Sequence, residues 1–323
     1  MKVKLSNFSE HTYQLKTSFL VGDYELENYK VFKYTADFNG VLVNGEIPAL
    51  PLFYGNQRID HFNKLELSFN KDSIDLEQKL FGQKISLENA PNNLVFSIEQ
   101  LIISYLTIIK ECPIEFSSDA PVALINQLNS NFKNNTVIKL KIGRDSISAE
   151  NKRIKDLLDK GHKLRLDGNR MLSAPQLEEL LEGLNLKNIE YIEEPFSSYE
   201  EWENFSLKHK IGLALDEGLQ SCIESNIFPT NTVAFIIKPS LSLSVSGILR
   251  LRNNKVFEDR KVVISSSFET GQTFNLLIHL ASNFDTHHGL GTLGHLMLPE
   301  SEQNMFNQVG DKIHGHPISY FQI

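Results

Sequence analysis

Val137-Ile138-Lys139-Leu140-Lys141-Ile142 sets two lysines inside an apolar, β-branched run. Residues two apart on a strand share a face, so Lys139 and Lys141 point the same way. Four later runs repeat the pattern of an apolar strand ending in charge: Lys163 to Leu166 before Asp167, Ile189 to Ile192 before Glu193, Gly212 to Leu215 before Asp216, and Val233 to Ile237 before Lys238. The terminal charges recur every 22 to 26 residues, about one strand, one helix and their loops. Helices fill the intervals. Ser173 with Gln176 and Ser198 with Glu201 fit the capping box, and Leu177, Leu180, Leu181 and Leu184 share one helical face. Ile154, Leu157 and Leu158 before the stop at Gly161, and Phe274, Leu277, Ile278 and Ala281, form similar stripes.

Working outward, Ile114 to Ser117 reads as a strand before this series, Val262 to Ser266 as one after it, and a weak eighth lies near Gly289. Alternating strands and helices build parallel βαβ units, and eight such strands predict a β/α barrel. A doubly wound sheet fits less well, because no glycine-rich phosphate loop follows an early strand. Residues 1 to about 95 differ: extended runs at Lys30 to Tyr34, Gly40 to Val43 and Leu65 to Phe69 are separated by Asn, Gly and Asp.

The whole chain has 323 residues, which predicts about two domains, and 41% are hydrophobic, enough for a core. The net charge of -8 disfavours nucleic acid and anionic membrane as partners. No apolar run approaches a membrane span, and Leu101 to Ile109 reads as a buried helix. Met1 to His11 lacks the apolar core of a signal peptide, and Cys112 and Cys222 provide neither a disulfide framework nor zinc spacing. A cytoplasmic location is expected.

In a barrel the C-terminal strand ends converge on one mouth, where active sites sit. Asp167, Glu193 and Asp216 on three consecutive strands would repel one another there unless a cation neutralised them. Oxygen donors select a hard ion, which predicts Mg²⁺, with Mn²⁺ as a substitute. A lone acid or lysine at a strand end is ordinarily a solvated loop residue; three acids in register between lysines are not. Lys141 beside other cations is suited to act as a general base, and Lys238 would face it across the mouth. Such a site removes a proton next to a carboxylate and stabilises the enediolate, so the expected partner is a small-molecule carboxylate.

Lys139-Leu140-Lys141, Asp167-Gly168-Asn169, Ile192-Glu193-Glu194-Pro195, Leu215-Asp216-Glu217 and Ile237-Lys238-Pro239-Ser240 resemble, in order, the motifs of the enolase superfamily, muconate-lactonizing subgroup. Sites of that superfamily pair a Lys or His base with Mg²⁺. Gly45-Glu46-Ile47-Pro48-Ala49-Leu50-Pro51 resembles a capping-domain loop of the o-succinylbenzoate synthases. Ser265-Ser266-Ser267 and Gly289-Leu290-Gly291-Thr292 resemble their seventh and eighth strand ends.

The resemblance implies a (β/α)7β barrel (residues 111–296) behind an α+β capping domain (residues 1–110), with residues 297–323 returning to the cap. It implies Asp167, Glu193 and Asp216 as metal ligands, Lys141 as base, Lys238 as the opposed cation, and Lys139 tuning Lys141 or touching the carboxylate. Asn169, Glu217, Ser265, Gly289 and Thr292 would support the ligands or touch substrate. The implied reaction is a Mg²⁺-dependent dehydration; N-acylamino acid racemisation, dipeptide epimerisation and muconate-type cycloisomerisation share its first half.

Two features depart from the pattern. Thr286 to Leu298 lacks the Asp-x-Asp that dipeptide epimerases use to hold a substrate ammonium, and Gly291 stands where the synthases commonly have Asp. The histidines of His314-Gly315-His316 and of His287-His288 read as structural, and Phe53 and Tyr54 are candidates to line the pocket.

Overall fold

The structure is a computed structural model. It describes residues 2–21, 24–49, 67–68, 91–110, 112, 117, 119–125, 135–245, 247–248, 255–292, 297–299, 302 and 306–316.

Seven parallel strands pair in the order β12-β11-β10-β9-β8-β7-β6: β6 (Leu124–Ile125), β7 (Val137–Lys141), β8 (Lys163–Asp167), β9 (Ile189–Glu193), β10 (Leu213–Leu215), β11 (Thr232–Ile237) and β12 (Lys261–Ile264). The sheet closes on itself. His288 and Gly289 bridge β12 at Ser265 on one side and Val122, just before β6, on the other. The eighth strand is thus only two residues long, and the fold is a β/α barrel.

Period-two alternation gives each strand an outer and an inner face. Ile138, Leu140, Leu164, Leu166, Ile192, Leu213, Leu215, Phe235, Ile237, Val262 and Ile264 lie on the outer face and join the large apolar core. The surrounding helices add their stripes to it, among them Ile154, Leu157 and Leu158 of α2 (Ile147–Asp159) and Leu177, Leu180 and Leu181 of α3 (Ala174–Leu181). The α3 stripe begins where the sequence places it, with the Gln176 side chain accepting the Ser173 N–H at 2.9 Å. Trp202 of α4 (Tyr199–His209) is fully buried, and its indole N–H donates to Phe196 O at 2.6 Å.

The inner face carries a smaller cluster, Tyr191, Ala214, Ala234, Ile236 and Val263. Beneath it, at the N-terminal end of the strands, a charged floor is fully satisfied. Arg165, 2% exposed, stacks 5.1 Å from the Tyr191 ring and donates to Glu190 Oε2 (2.7 Å), His287 O (2.6 Å) and Thr286 Oγ1 (3.1 Å). Lys261 reaches the other Glu190 oxygen at 3.0 Å.

Three long antiparallel strands, β1 (Lys2–Val21), β2 (Tyr24–Phe38) and β3 (Val41–Pro48), form an N-terminal sheet with β4 (Leu67–Ser68) on the far edge of β1. Helix α1 (Asn92–Ile108) packs on β3 and is buried around most of its circumference. This accounts for the unusually apolar Leu101 to Ile109: none of the described helices is long and apolar enough to cross a membrane. Past the barrel, Met297 N–H bonds Gln14 O at 2.9 Å and Glu302 accepts from Tyr13 at 2.6 Å and from Lys33, all on the N-terminal sheet. The hairpin β13 (Phe306–Val309) and β14 (Lys312–Gly315) then pairs with β5 (Asp119–Pro121) at the entrance to the barrel.

One strand assignment changes. Ile114 to Phe116 lie outside the described residues, and the strand that pairs with β7 is Leu124–Ile125, in register Leu124 with Ile138. Its short length is offset by the neighbouring bridge at Val122. Leu50, Pro51, Phe53 and Tyr54 also lie outside the described residues, as does the Leu65 to Phe69 run apart from Leu67 and Ser68.

Candidate active site

Strand register assembles the mouth. Lys141 pairs with Asp167, Asp167 with Glu193, and Glu193 with Ala214, two residues before Asp216. All five terminal charges therefore lie on the inner face at the C-terminal end. Asp167 and Glu193 are 2% and 1% exposed.

The carboxylates and lysines share charge unevenly. Lys139 Nζ lies 3.0 Å from Asp167 Oδ2 and 2.8 and 2.9 Å from the two Glu193 oxygens. Lys238 pairs with Asp216 Oδ2. Lys141 Nζ donates to the neutral amide oxygen of Asn169 at 2.8 Å and stands 3.6 Å from Asp167.

Burial opposes every one of these charges. It lowers the lysines, yet Asp167, Glu193 and Asp216 hold Lys139 well above its ordinary value, and Asp216, Glu217 and Glu193 do the same for Lys238. Lys141 alone stays below: desolvation pulls it down, the attraction of Asp167 does not cancel this, and Lys139 and Arg144 add to it. Burial likewise raises carboxylates, and Lys139 and Lys141 overcome it at Asp167, which falls to about 2. At Glu193 burial together with Asp167 and Asp216 wins, and the carboxyl rises to about 8.

The donor set consists of oxygens only, which suits a hard divalent cation. Among the described residues no three acidic, histidine or cysteine side chains gather around one point. The reason is visible in the pairs above: Asp167 and Glu193 grip the Lys139 ammonium and Asp216 turns to Lys238. The chemistry and the register fit a metal; these side-chain directions serve the lysines.

Other sequence-predicted residues divide. Asn169, at φ +42°, holds Lys141 and donates its backbone N–H to Asp167 Oδ1 at 3.3 Å. Glu217 is exposed to solvent beside Asp216 and Lys238. Ser265 lies against Gly289, where a Cβ would come within 2.7 Å of the serine oxygen, so glycine is required for the closing bridge. Thr292 Oγ1 donates to Ser266 Oγ at 2.7 Å. His314 meets Asp119 at 2.7 Å on the terminal hairpin, and His288 is buried in the closing bridge with its ring accepting the Ile264 N–H at 3.0 Å.

Three buried glutamates fasten the loops of the mouth, and sequence reasoning overlooked two of them, Glu150 and Glu269. Glu150 accepts the N–H groups of Gly143 (2.8 Å), Arg144 (2.9 Å) and Asp145 (3.0 Å), directly after β7. Glu194 binds Arg170 and the Asp216 and Gly218 N–H groups. Glu269 accepts from Ser240, from Ser266 at 2.8 Å and from Ser267 N–H at 2.6 Å. Only Glu194 had a sequence signal, its place directly after Glu193.

No family model matches the chain. The o-succinylbenzoate synthase of Haemophilus influenzae is 29% identical over 161 residues, 46% of this chain and 46% of that protein, so the match spans less than half of the relative's length. Among solved structures, the o-succinylbenzoate synthase of Thermosynechococcus elongatus, complexed with Mg in its active site, is similar with a TM-score of 0.64 and 19% identity over 92% of this chain and 95% of that one. A dipeptide epimerase of Enterococcus faecalis, complexed with Mg and L-Leu-L-Tyr, has a TM-score of 0.72 and 14% identity over 98% of each chain. These structures share the barrel fold.

Proposed function

We propose that this chain is an o-succinylbenzoate synthase, a cytoplasmic enzyme of menaquinone biosynthesis that removes water from 2-succinyl-6-hydroxy-2,4-cyclohexadiene-1-carboxylate. The observation that carries the reading is the asymmetry of the two lysines. Lys238 is in direct contact with the Asp216 carboxylate, whereas Lys141 hydrogen-bonds a neutral amide, stands 3.6 Å from Asp167 and keeps its amine half-exposed. One is fixed as a cation and the other is free to take a proton, as a one-sided elimination requires. The likeness to the Haemophilus influenzae synthase supports the same choice.

Asp167, Glu193 and Asp216 would hold Mg²⁺, with Mn²⁺ as a substitute; when bound, the ion supplies a fixed positive charge beside the substrate carboxylate. Lys141 removes the proton alpha to the ring carboxylate. The electron pair left behind moves into the ring as the 6-hydroxyl departs, so that proton and hydroxide leave as water and the ring becomes aromatic. Lys238 stabilises the negative charge that builds up between these events, while Lys139 pairs with Asp167 and Glu193.

An ultraviolet assay of o-succinylbenzoate formation, with and without EDTA, tests the reading: product should form and EDTA should stop it. Both lysines are also what a two-base racemase needs, and proton NMR in D₂O with N-succinylamino acids distinguishes the two. Rapid α-proton exchange of both enantiomers, with no turnover of the cyclohexadiene, would replace the synthase by the racemase.

A further inference from the structure

Glu194 takes no part in the chemistry proposed above, yet it is fully buried and its backbone sits at φ +36°, in the left-handed region that a residue with a Cβ rarely occupies. Its surroundings hold it there. Its own N–H bonds Ala214 O at 3.2 Å, its carbonyl accepts Arg170 N–H at 2.7 Å, and the adjoining Pro195 packs so closely on Gly168 that a Cβ there would come within 2.8 Å. The consequence lies in the side chain. Oε1 accepts the backbone N–H of Asp216 at 3.0 Å and of Gly218 at 2.7 Å, and Oε2 accepts from the Arg170 guanidinium. One carboxylate thus ties the loop after Asp167 to the loop that carries Asp216.

We propose that Glu194, neutralised and oriented by Arg170, is the positioning residue that sets where Asp216 stands and so sets the affinity of the mouth for Mg²⁺. The proposal rests on the reading of Asp216 as a metal ligand. Asp216 lies beyond the last residue of β10, outside the ladder that fixes Asp167 and Glu193, and its backbone N–H is held by Glu194. Ligands whose orientation depends on such outer contacts lose affinity when the contacts are removed.

A charge effect and a positioning effect differ in sign at Arg170. Arg170→Met removes a cation near the metal site, so electrostatics alone would tighten Mg²⁺ binding. Positioning demands the reverse, because Glu194 would lose the partner that keeps it turned to Asp216.

Calorimetric titration with Mg²⁺ of the wild type, Arg170→Met, Glu194→Gln and Glu194→Ala, with melting in EDTA as a control of folding, decides between them. Arg170→Met and Glu194→Gln should bind ~10-fold more weakly while still melting cooperatively, and Glu194→Ala more weakly again. Should Glu194→Ala fail to fold, Arg170→Met carries the test, since its guanidinium arm is partly exposed. Wild-type binding with an equal or tighter Arg170→Met overturns the positioning role alone. A wild type that binds no Mg²⁺ overturns the ligand assignment of Asp216 and this inference with it.

Discussion

At the floor of the barrel Arg165 spends its donors on Glu190, Thr286 and a backbone carbonyl, and Lys261 completes the Glu190 carboxylate. At the mouth, further along the same inner face, Lys141 hydrogen-bonds the neutral amide of Asn169 and stands 3.6 Å from Asp167, and Glu193 is pushed towards its acid form by burial together with Asp167 and Asp216. Both ends are polar and both are built from strand residues. The floor closes its charges among themselves, whereas the mouth pairs its carboxylates with Lys139 and Lys238 and leaves one amine, Lys141, half-exposed. This is the division between the stabilising and the reactive ends of a β/α barrel.

The sharpest way to break the comparison is Lys141→Ala. Turnover of the cyclohexadiene should drop by ~10²–10⁴ or more, with the melting temperature unchanged, because the side chain is half-exposed and contributes a proton path rather than packing. A variant that kept wild-type turnover would show that the mouth has no base at this position. Next in size is Glu193→Gln, for which calorimetry should show Mg²⁺ affinity reduced by roughly 100-fold, since a neutral amide loses the charge that holds the ion.

Glu190→Gln probes the other end. It should cost about 2–3 kcal/mol of stability in denaturant titrations and leave Mg²⁺ affinity untouched. Its pH dependence has a definite sign. Burial raises the Glu190 carboxyl, but Arg165 and Lys261 together hold it below its ordinary value. Its contribution is therefore complete above the usual glutamate value of about 4.3 and is lost as the pH falls through the lower folded value. The gap between wild type and Glu190→Gln should close on acidification; a constant gap would mean that the floor is not held by this charge. The smallest contrast compares two conservative changes: Lys238→Arg should retain more turnover than Lys141→Arg, because a fixed cation tolerates a guanidinium better than a base does.

The mouth was legible because its residues are marked twice, by position at the end of an apolar run and by period two. Lys139, Lys141, Asp167, Glu193, Asp216 and Lys238 needed no knowledge of long-range packing to be placed together. The same period places Arg165 under Asp167 and Tyr191 under Glu193, so the floor was available to that reasoning and was passed over. Glu150 and Glu269 were not available: each acts on backbone N–H groups, which leave no trace in residue type. Leu124–Ile125 was hidden for another reason. A two-residue strand has no periodicity, and its pairing is decided by the neighbours it meets rather than by local preference. The hairpin Phe306–Gly315 is similarly obscure, with mostly exposed residues on β13 and a turn through Gly310 at φ +64°.

The closing bridge at His288 and Gly289 also carries a kinetic meaning. Between β7 and β8 the ladder runs through five consecutive pairs of neighbours in the ring, whereas the ring is shut by single bridges that join Val122 to His288 and Ser265 to Gly289. The Val122–His288 bridge joins distant parts of the chain, so its loop-closure entropy is met only after the intervening βα units have formed. The ring therefore zips shut last, and native-state breathing begins at the same seam. Amide protons of Ala123, His288 and Gly289 should exchange ahead of those in β8 and β9. The seam lies across the ring from β9, so the barrel should breathe on the side away from the strand that anchors Glu193.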